Sequence, residues 1–273
     1  MLTRATTILL LILWSLLRAA DTPDAVIRAV PVDRSIQLTG RLDDPMWQKG
    51  KPVSLDYEFE PGDNTPAPQK TSVRALYNQE LVYLGFQCYD SRPGEIRANL
   101  SERDKIFQDD YVMVTIDTYG DFQRAYEFAL NPYGIQADQM ITLNNEDPDF
   151  DMIWYSAAAK NDSGWTAEMA IPFKSLRFPN RDEQVWRIHL VRNYPRASQT
   201  KMSWMPIDRA NPSFLIQAGH MQGLTSIATS RSFEFLPYAM GQQSEALRDD
   251  GRATSGWRRE QMQSRFGFGL QYA

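Results

Sequence analysis

The chain has 273 residues, with 29 lysines and arginines against 34 acidic residues, one cysteine and two histidines. This composition is that of a globular protein and excludes disordered, collagen-like and coiled-coil chains. A single cysteine excludes an intramolecular disulfide, and two histidines disfavour a multi-histidine metal site. The net charge of −5 disfavours a nucleic-acid-binding surface, so no nucleic-acid partner is expected.

The first 20 residues are typical of a secretory signal peptide. Arg4 precedes an apolar run at residues 8–17 that is too short to span a bilayer, and two alanines follow at 19 and 20. An uncleaved anchor or a buried helix is the alternative, because Arg18 is unfavourable beside a cleavage site. We expect an exported protein, in the periplasm or outer membrane, with Cys88 as a buried thiol.

The following part of the chain is predicted to form short strands separated by turns. Strand-length apolar or alternating stretches occur at residues 72–77, 81–89, 111–117, 125–131, 165–171, 185–192 and 202–207. Residues 44–49, where Asp44 precedes Pro45, are the best candidate for a short helix. The pattern predicts an all-β fold, an antiparallel β-sandwich of the jelly-roll or immunoglobulin-like type, over residues 30–230.

The character of the sequence changes after Arg231. Residues 232–240 and 265–272 alternate strictly, with aromatic residues on one face, and a charge-rich stretch separates them. Such alternation is typical of outer-membrane barrel strands and also of edge strands. Residues 231–273 are therefore interpreted as a C-terminal pair of alternating strands, either the start of a β-barrel in a longer protein or edge strands.

Patterns that indicate catalysis are weak. His189 and His220 lie in predicted strands, and no G-x-S-x-G sequence accompanies them. Asp109 and Asp110 are adjacent and point to opposite sides of an extended chain, so they do not form the facing carboxylate pair of a glycosidase. Two distant acids could still meet in the fold. The protein is expected to be non-catalytic, and if it is an enzyme we expect a hydrolase of O-glycosyl bonds.

An acidic run offers oxygen ligands for a hard cation. Asp147, Asp149 and Asp151 have the spacing that begins a calcium loop, but Met152 and Ala158 stand where the turn glycine and the bidentate glutamate belong. A solvated acidic loop is the simpler interpretation. A structural calcium ion stays an open alternative, and no other cofactor is expected.

Aromatic residues favour a sugar-binding site, because sugar rings stack on aromatic faces while polar groups at the rim bind the hydroxyls. Trp165 and Trp186 begin apolar strands and are interpreted as core residues. Phe107 and Trp154 lie beside loops rich in Asp, Asn and Gln, where a ligand could reach them. These two are the candidates for stacking.

Five motifs follow one another along the predicted sandwich. They are LTGRLDDPMWQKG at 38–50, TSVRALYNQELVYLGFQCYD at 71–90, DDYVMVTID at 109–117, YEFALNPYGIQAD at 126–138 and GWTAEMAIPFKSL at 164–176. Together they resemble carbohydrate-binding module family 9, whose β-sandwiches occur on xylanases and other exported bacterial proteins. The resemblance implies a carbohydrate ligand, a role in polysaccharide catabolism, and Trp47 as a packing tryptophan.

The binding residues that the resemblance implies are partly retained. Phe107 stands where an aromatic residue stacks on the sugar, and Asn131 is kept. Met113 and Ala129 replace a glutamate and an arginine, and residues 211–214 offer no clear match to a second stacking tryptophan. Arg192 could replace some of the lost hydrogen bonds. The predicted carbohydrate-binding residues are Phe107, Asp110, Asn131, Trp154 and Arg192.

Residues 211–238 resemble the junction in exported proteins that place this module before a C-terminal outer-membrane β-barrel. This second resemblance implies a possible association with the outer membrane. Two hypotheses compete with carbohydrate binding. One is a periplasmic structural domain without a sugar site, motivated by the replaced glutamate and arginine, and the other is a weak hydrolase.

Overall fold

The computed structural model describes residues 25–142, 145–147, 150–227, 233–248, 256–259 and 262–272. The predicted signal peptide lies outside these residues. The chain divides into two compact units, residues 1–229 and residues 230–273. The strands of the first unit are β1 (Val26–Arg28), β2 (Val30–Pro31), β3 (Val53–Ser54), β4 (Tyr57–Glu60), β5 (Thr65–Pro66), β6 (Thr71–Tyr77), β7 (Leu81–Tyr89), β8 (Tyr111–Asp117), β9 (Arg124–Leu130), β10 (Gln136–Thr142), β11 (Asn145–Asp147), β12 (Tyr155–Asn161), β13 (Gly164–Pro172), β14 (Glu183–Pro195), β15 (Gln199–Ser203) and β16 (Gly219–Thr225). Short 3₁₀ helices are η1 (Pro45–Lys49), η2 (Pro93–Glu95), η3 (Phe173–Ser175) and η4 (Leu215–Gln217).

These strands form two sheets. Sheet A has ten strands in the order β11-β10-β9-β8-β14-β15-β4-β5, with β16 beside β14 and β1 beside β16. Sheet B has six strands in the order β12-β13-β7-β6-β2, with β3 also beside β6. The pairings of β1 with β16 and of β2 with β6 are parallel, and the others in this part of the described chain are antiparallel. The predicted all-β antiparallel sandwich is confirmed.

The core lies between the two sheets and follows from the alternation of each strand. Val114, Phe128 and Leu190 are cross-strand neighbours on β8, β9 and β14, and all three are fully buried. Trp165 and Trp186 are fully buried as well, which confirms their interpretation as core residues. Alternate residues of β6, β7 and β13 face the same core from sheet B.

Cys88 lies in this core, where burial raises the pKa of its thiol to about 12. The prediction of a buried thiol is therefore confirmed. At neutral pH the sulfur is protonated, and an uncharged buried thiol is a poor nucleophile.

A loop packs over the outer face of sheet B through Trp47, which lies within the capped helix η1. Asp44 accepts a hydrogen bond from the Met46 N–H at 2.9 Å, so the predicted short helix at residues 44–49 is present. The indole of Trp47 donates to Glu168 Oε1 at 2.9 Å. Glu168 Oε2 accepts from two backbone N–H groups, those of Thr39 at 2.7 Å and Gly40 at 2.5 Å. The first and fifth sequence motifs thus meet around one buried carboxylate.

The strands that the sequence did not predict are mostly short or at an edge. β12 is an edge strand of sheet B, with a small and polar sequence, YSAAAKN, that has no apolar alternation. Such a strand is recruited by the hydrogen bonds that β13 offers, which a sequence pattern does not display. The predicted strand at 202–207 was displaced, because the chain leaves β15 at Ser203.

The second unit consists of two strand pairs. β17 (Phe233–Gln242) pairs antiparallel with β20 (Gln263–Tyr272), and β18 (Glu245–Arg248) pairs with β19 (Gly256–Arg259). The predicted C-terminal pair of alternating strands is therefore present. Phe266 and Phe268 on β20 are 78% and 70% exposed. Within the described part of the chain, no helix has the length and apolar character needed to cross a membrane.

Candidate functional site

Asp110 is buried at the start of β8 and forms part of an ion-pair network. Its carboxylate accepts from the Arg97 N–H at 2.8 Å and from Arg196 Nη1 at 2.8 Å. Arg196 also binds Asp90, with 2.5 Å between Nη2 and Oδ2. Burial raises the pKa of Asp110, and the hydrogen bond from Arg196 opposes that rise. Asp110 therefore joins loops at the ends of β7, β8 and β14 and presents no carboxylate to solvent.

Asn131 is also buried, and every polar atom of its side chain has a protein partner. Its amide donates to Asp109 Oδ2 at 2.9 Å and to the Asn99 carbonyl at 3.1 Å. Its carbonyl accepts from the backbone N–H groups of Tyr133 at 3.0 Å and Ile135 at 2.9 Å. Because the side chain is fully used within the turn after β9, its role in this structure is to shape that turn.

Trp154 lies against the core, at a distance of 5.3 Å from the Phe128 ring in an edge-to-face arrangement. Its indole N–H donates to Asp138 at 3.2 Å. The ring is buried, so neither face is open for a sugar to stack on.

Arg192 faces the inside of the sandwich. It is the cross-strand partner of Val112 and is completely buried. Its Nη1 donates to Thr71 Oγ1 at 3.0 Å and to the Tyr89 carbonyl at 2.8 Å, which links sheet A to sheet B. A buried guanidinium held in this way stabilises the end of the sandwich, and it does not reach a ligand on either outer face.

Phe107 is the one residue among the five predicted contacts that is substantially exposed, at 41%. Its ring packs edge-on against Tyr111, with 5.6 Å between ring centroids. Tyr111 begins β8 and lies on the outer face of sheet A. The structure thus places the predicted stacking residue at the border of that outer face.

Small and flexible apolar side chains form the surface of sheet A next to Phe107. Met113 and Ala129, which replace the glutamate and arginine implied by the resemblance, are direct cross-strand partners. Ala137 extends the same row on β10, and Val191 continues it on β14. Met113 is half-buried and packs against both the Tyr111 cluster and the Val191 cluster. The two replaced positions therefore lie side by side on the outer face of sheet A, where Met113 is half-buried and Ala129 is buried.

Phe214 is the aromatic residue that sequence reasoning missed. It precedes η4, is half-buried and packs, like Met113, against the Val191 cluster. Its ring stacks on His189 with 3.9 Å between centroids and 17° between planes. The position falls within residues 211–214, where the resemblance implies a second stacking residue, and only its identity as phenylalanine concealed it.

His189 supports this loop. His189 Nε2 hydrogen-bonds with the Phe214 carbonyl oxygen at 2.8 Å, and burial lowers the pKa of the imidazole to about 4. The ring is therefore neutral at physiological pH, and its contacts position Phe214.

Polar groups share the outer face with these apolar residues. Glu127 is 5% exposed and accepts hydrogen bonds from Thr115 Oγ1 at 2.9 Å and from Gln139 Nε2 at 2.7 Å. Burial raises its pKa to about 7, against the lowering effect of those two hydrogen bonds. Lys201 and Glu60 form an ion pair at 2.9 Å, and both side chains are partly exposed. The charge of Lys201 lowers the pKa of Glu127, and the charge of Glu60 raises the pKa of Tyr111, so these four side chains lie near one another.

The acidic run at residues 147–151 does not form a loop of ligands in its described part. Asp147 belongs to β11, where it pairs with Met140, and Asp151 lies 3.5 Å from Arg103 Nε. Asp149 lies outside the described residues. Among the residues that are described, no three Asp, Glu, His or Cys side chains are grouped to hold a metal ion.

The outer face of sheet A therefore combines an exposed aromatic ring, an apolar floor and a polar rim. This arrangement suits a ligand with apolar faces and hydroxyl edges. The sequence predicted Phe107 and the positions of Met113 and Ala129 within this face. It missed Phe214, because a tryptophan was implied at that position. It also missed Glu127, Gln139 and Lys201, because their proximity depends on strand order and register.

Three solved structures share this fold. A putative carbohydrate-binding protein from Bacteroides uniformis matches with a TM-score of 0.59 at 15% identity, over 72% of this chain and 98% of that chain. A carbohydrate binding module family 9 protein from Caldicellulosiruptor kristjanssonii, in complex with glucose, matches with a TM-score of 0.54 at 14% identity, over 72% of this chain and 95% of that chain. A structure of such a module from the same organism in complex with cellotriose gives 0.53 at 15% identity, over 72% and 93%.

At the level of sequence, no curated protein is significantly similar to this chain. The family model described as "Carbohydrate family 9 binding domain-like" matches residues 38–212, which is more than half of the chain and contains all five sequence motifs. The chain belongs to the carbohydrate family 9 binding domain-like family.

Proposed function

We propose that the protein binds a carbohydrate on the outer face of sheet A. The observation that carries the proposal is the position of Met113, which contacts the cluster beside Tyr111 on one side and the cluster that holds Phe214 on the other. Phe107 and Phe214 therefore border one strip of the sheet and supply aromatic surface for sugar rings. The glucose and cellotriose bound by the structural neighbours support a glucose-containing ligand.

The hydrogen-bonding part of this site differs from the one that the family resemblance implies. Met113 and Ala129 offer no hydrogen bonds to hydroxyl groups, so stacking contributes a larger share of the binding free energy. The exposed parts of Lys201 and Glu60 supply charged hydrogen-bonding groups on the same face. We expect weak binding that depends on the aromatic rings.

Calorimetric titration with glucose, cellotriose and a panel of neutral oligosaccharides tests this proposal. Phe107→Ala and Phe214→Ala should each weaken binding roughly tenfold, since a ring contact contributes about 1.5 kcal/mol. Tyr119→Ala is the matched control, because Tyr119 is a partly exposed ring beyond the opposite end of β8. The absence of binding to every glycan, or unchanged binding by both phenylalanine variants, contradicts the proposal.

A structural role is the second candidate function. It is favoured by the burial of Asp110, Asn131, Trp154 and Arg192, each of which bonds to other groups of the protein, and by the loss of the glutamate and arginine equivalents. In this alternative, the domain supports another part of the protein and the same titrations show no heat of binding.

Hydrolysis of O-glycosyl bonds is tested on the same glycan panel. Glu127 has the raised pKa of a general acid, about 7, and Glu60 supplies a second carboxylate in its neighbourhood. Reducing ends that appear with the wild type and disappear with Glu127→Gln would establish catalysis, and their absence with the wild type refutes it.

We further propose that the protein is exported, loses residues 1–20, and serves polysaccharide catabolism at the periplasmic side of the outer membrane. The apolar run behind Arg4 and the exposed rings of Phe266 and Phe268 support this location, with residues 231–273 beginning a β-barrel. Fractionation of cells and N-terminal sequencing of the mature protein test it. An intact N-terminus in the cytosolic fraction contradicts export, and a soluble periplasmic protein contradicts membrane association.

A further inference from the structure

The outer face of sheet B carries a cavity of about 390 Å³, on the opposite side of the sandwich from the proposed sugar site. Its floor is formed by Ser72, Arg74 and Gln87, which occupy outward-facing positions of β6 and β7. Trp47 forms a wall and Tyr89 stands at the rim. The volume falls within the range of roughly 300–1,000 Å³ that is usual for small-molecule sites.

The wall of this cavity is held rigidly. Trp47 lies directly on Gly85 of β7, where a Cβ atom would come within 2.7 Å of the indole ring. The indole N–H is fixed by Glu168, which also holds the backbone of Thr39 and Gly40. Because residue 85 has no side chain, the loop that carries Trp47 can approach the sheet beside Arg74. The cavity is therefore bounded by parts of the fold that are held in place.

Positive charge lines the cavity without a matching acid. Arg41, Lys70 and Arg74 contribute to its lining, and no Asp or Glu is among the lining residues. Among the described residues these three side chains form no ion pair. Arg74 Nε is buried and has no hydrogen-bond partner. A buried N–H of a cation without an acceptor is unfavourable, and an anionic ligand would remove that penalty.

The acid in the same cross-strand row forms no ion pair with Arg74. Glu168 lies in the same cross-strand row, separated from Arg74 by Gly85. Both of its carboxylate oxygens are occupied by the Trp47 indole and by two backbone N–H groups. Arg74 and Arg41 therefore keep donors for a ligand, in a protein whose net charge is −5.

We propose that this cavity binds the carboxylate-bearing ring of an acidic sugar, such as a uronic acid unit of a polysaccharide. Arg74 and Arg41 are placed to bind the carboxylate, and the polar side chains of Ser72 and Gln87 to bind ring hydroxyls. The ring of Tyr89 is 40% exposed at the rim, and Lys70 Nζ lies over it at 5.5 Å from the ring centroid, so aromatic surface and positive charge meet at this rim. The cavity is larger than an inorganic anion needs, and its amide and hydroxyl groups match a polyol.

The site is separate from the one on sheet A, so each can fail without the other. The test is calorimetric titration of the full chain with trigalacturonate, with cellotriose as the neutral counterpart and with inorganic sulfate as the simple anion. Trigalacturonate should bind, and added salt should weaken it because the attraction is partly screened. Arg74→Gln should weaken trigalacturonate binding at least about tenfold, the effect of losing charge-assisted hydrogen bonds.

Lys51→Gln is the matched control, because the substitution removes the same charge from an exposed residue that does not line the cavity. It and Phe107→Ala should change trigalacturonate affinity by less than about twofold, as expected for groups outside the site. Thermal unfolding checks that each variant is folded, and Gln87→Ala provides a second cavity variant with an expected loss if Arg74→Gln does not fold. The proposal is overturned if trigalacturonate does not bind, if Lys51→Gln and Arg74→Gln lose affinity equally, or if sulfate binds as tightly as trigalacturonate.

Discussion

Glu127 should make the protein less stable as pH rises. Burial raises its pKa from 4.5 to about 7, so between these values the unfolded chain releases a proton that the folded protein keeps. The stabilising contribution of the protonated form is complete below pH 4.5 and is lost as pH rises through about 7. The difference corresponds to about 3 kcal/mol of unfolding free energy.

His189 acts in the opposite direction. Burial lowers its pKa from 6.5 to about 4, so the unfolded chain takes up a proton below pH 6.5 that the folded protein refuses. Stability from this residue is present above pH 6.5 and is lost as pH falls towards 4, again by about 3 kcal/mol. Between pH 4.5 and 6.5 the two contributions oppose each other, and this pair together should leave the unfolding free energy nearly independent of pH.

Glu127→Gln separates the two contributions. The unfolding free energy, measured with urea at several pH values from 4.5 to 8, should rise with pH more steeply in the variant than in the wild type, by about 1.4 kcal/mol per pH unit up to 6.5, because the opposing contribution of Glu127 to that of His189 is removed. Glu183→Gln, which alters an exposed glutamate at the start of β14, is the control and should follow the wild type. If Glu127→Gln follows the wild type at every pH, Glu127 ionises as in water and the reasoning is refuted.

Three further predictions concern packing and buried polar groups. Gly164→Ala should lower the unfolding free energy by about 3 kcal/mol, because φ is +139° and a Cβ atom would overlap the Cys88 carbonyl oxygen. Gly120→Ala is the control and should lower it by only about 1 kcal/mol, because φ is +69° and the space around it is open. Equal losses of the two variants in urea unfolding would contradict this prediction. Cys88 should react with a thiol reagent only after denaturation, and fast labelling of the native protein would show that it is accessible. Glu168→Gln should reduce stability by about 2 kcal/mol, since it disturbs three N–H donors including that of Trp47, and an unchanged melting temperature would contradict it.

The sequence predicted best the strands that have one buried and one more exposed face. Residues 81–89 and 111–117 were predicted to their ends, and Trp165, Trp186 and Cys88 were placed in the core, because one buried face imposes a period of two residues. β12 carries small residues at an edge, and β1 to β5 are too short to show a period. Their pairing depends on partners that are distant in sequence.

The site was harder to predict, because a residue type does not reveal which way a strand or loop turns it. Arg192 is instructive, since Trp186 was assigned to the core and residues 186 and 192 lie on the same face of β14. That spacing already excludes Arg192 from an outer-face site. Asn131 and Asp110 suit a sugar site by chemistry, yet the surrounding loops use all of their hydrogen bonds. Phe214 stands where the resemblance implies a second stacking tryptophan, and its identity as phenylalanine concealed it.

The parallel pairing of β1 with β16 has a mechanical consequence. The first and last strands of the sandwich run in the same direction side by side, joined by Val26 opposite His220 and by Arg28 opposite Gln222. Tension applied between the two ends of the unit pulls these strands along their length in opposite directions. The hydrogen bonds between them are then loaded together, in shear, instead of opening one after another. The two ends of the unit are therefore held in the geometry in which the pairing of β1 with β16 resists pulling best.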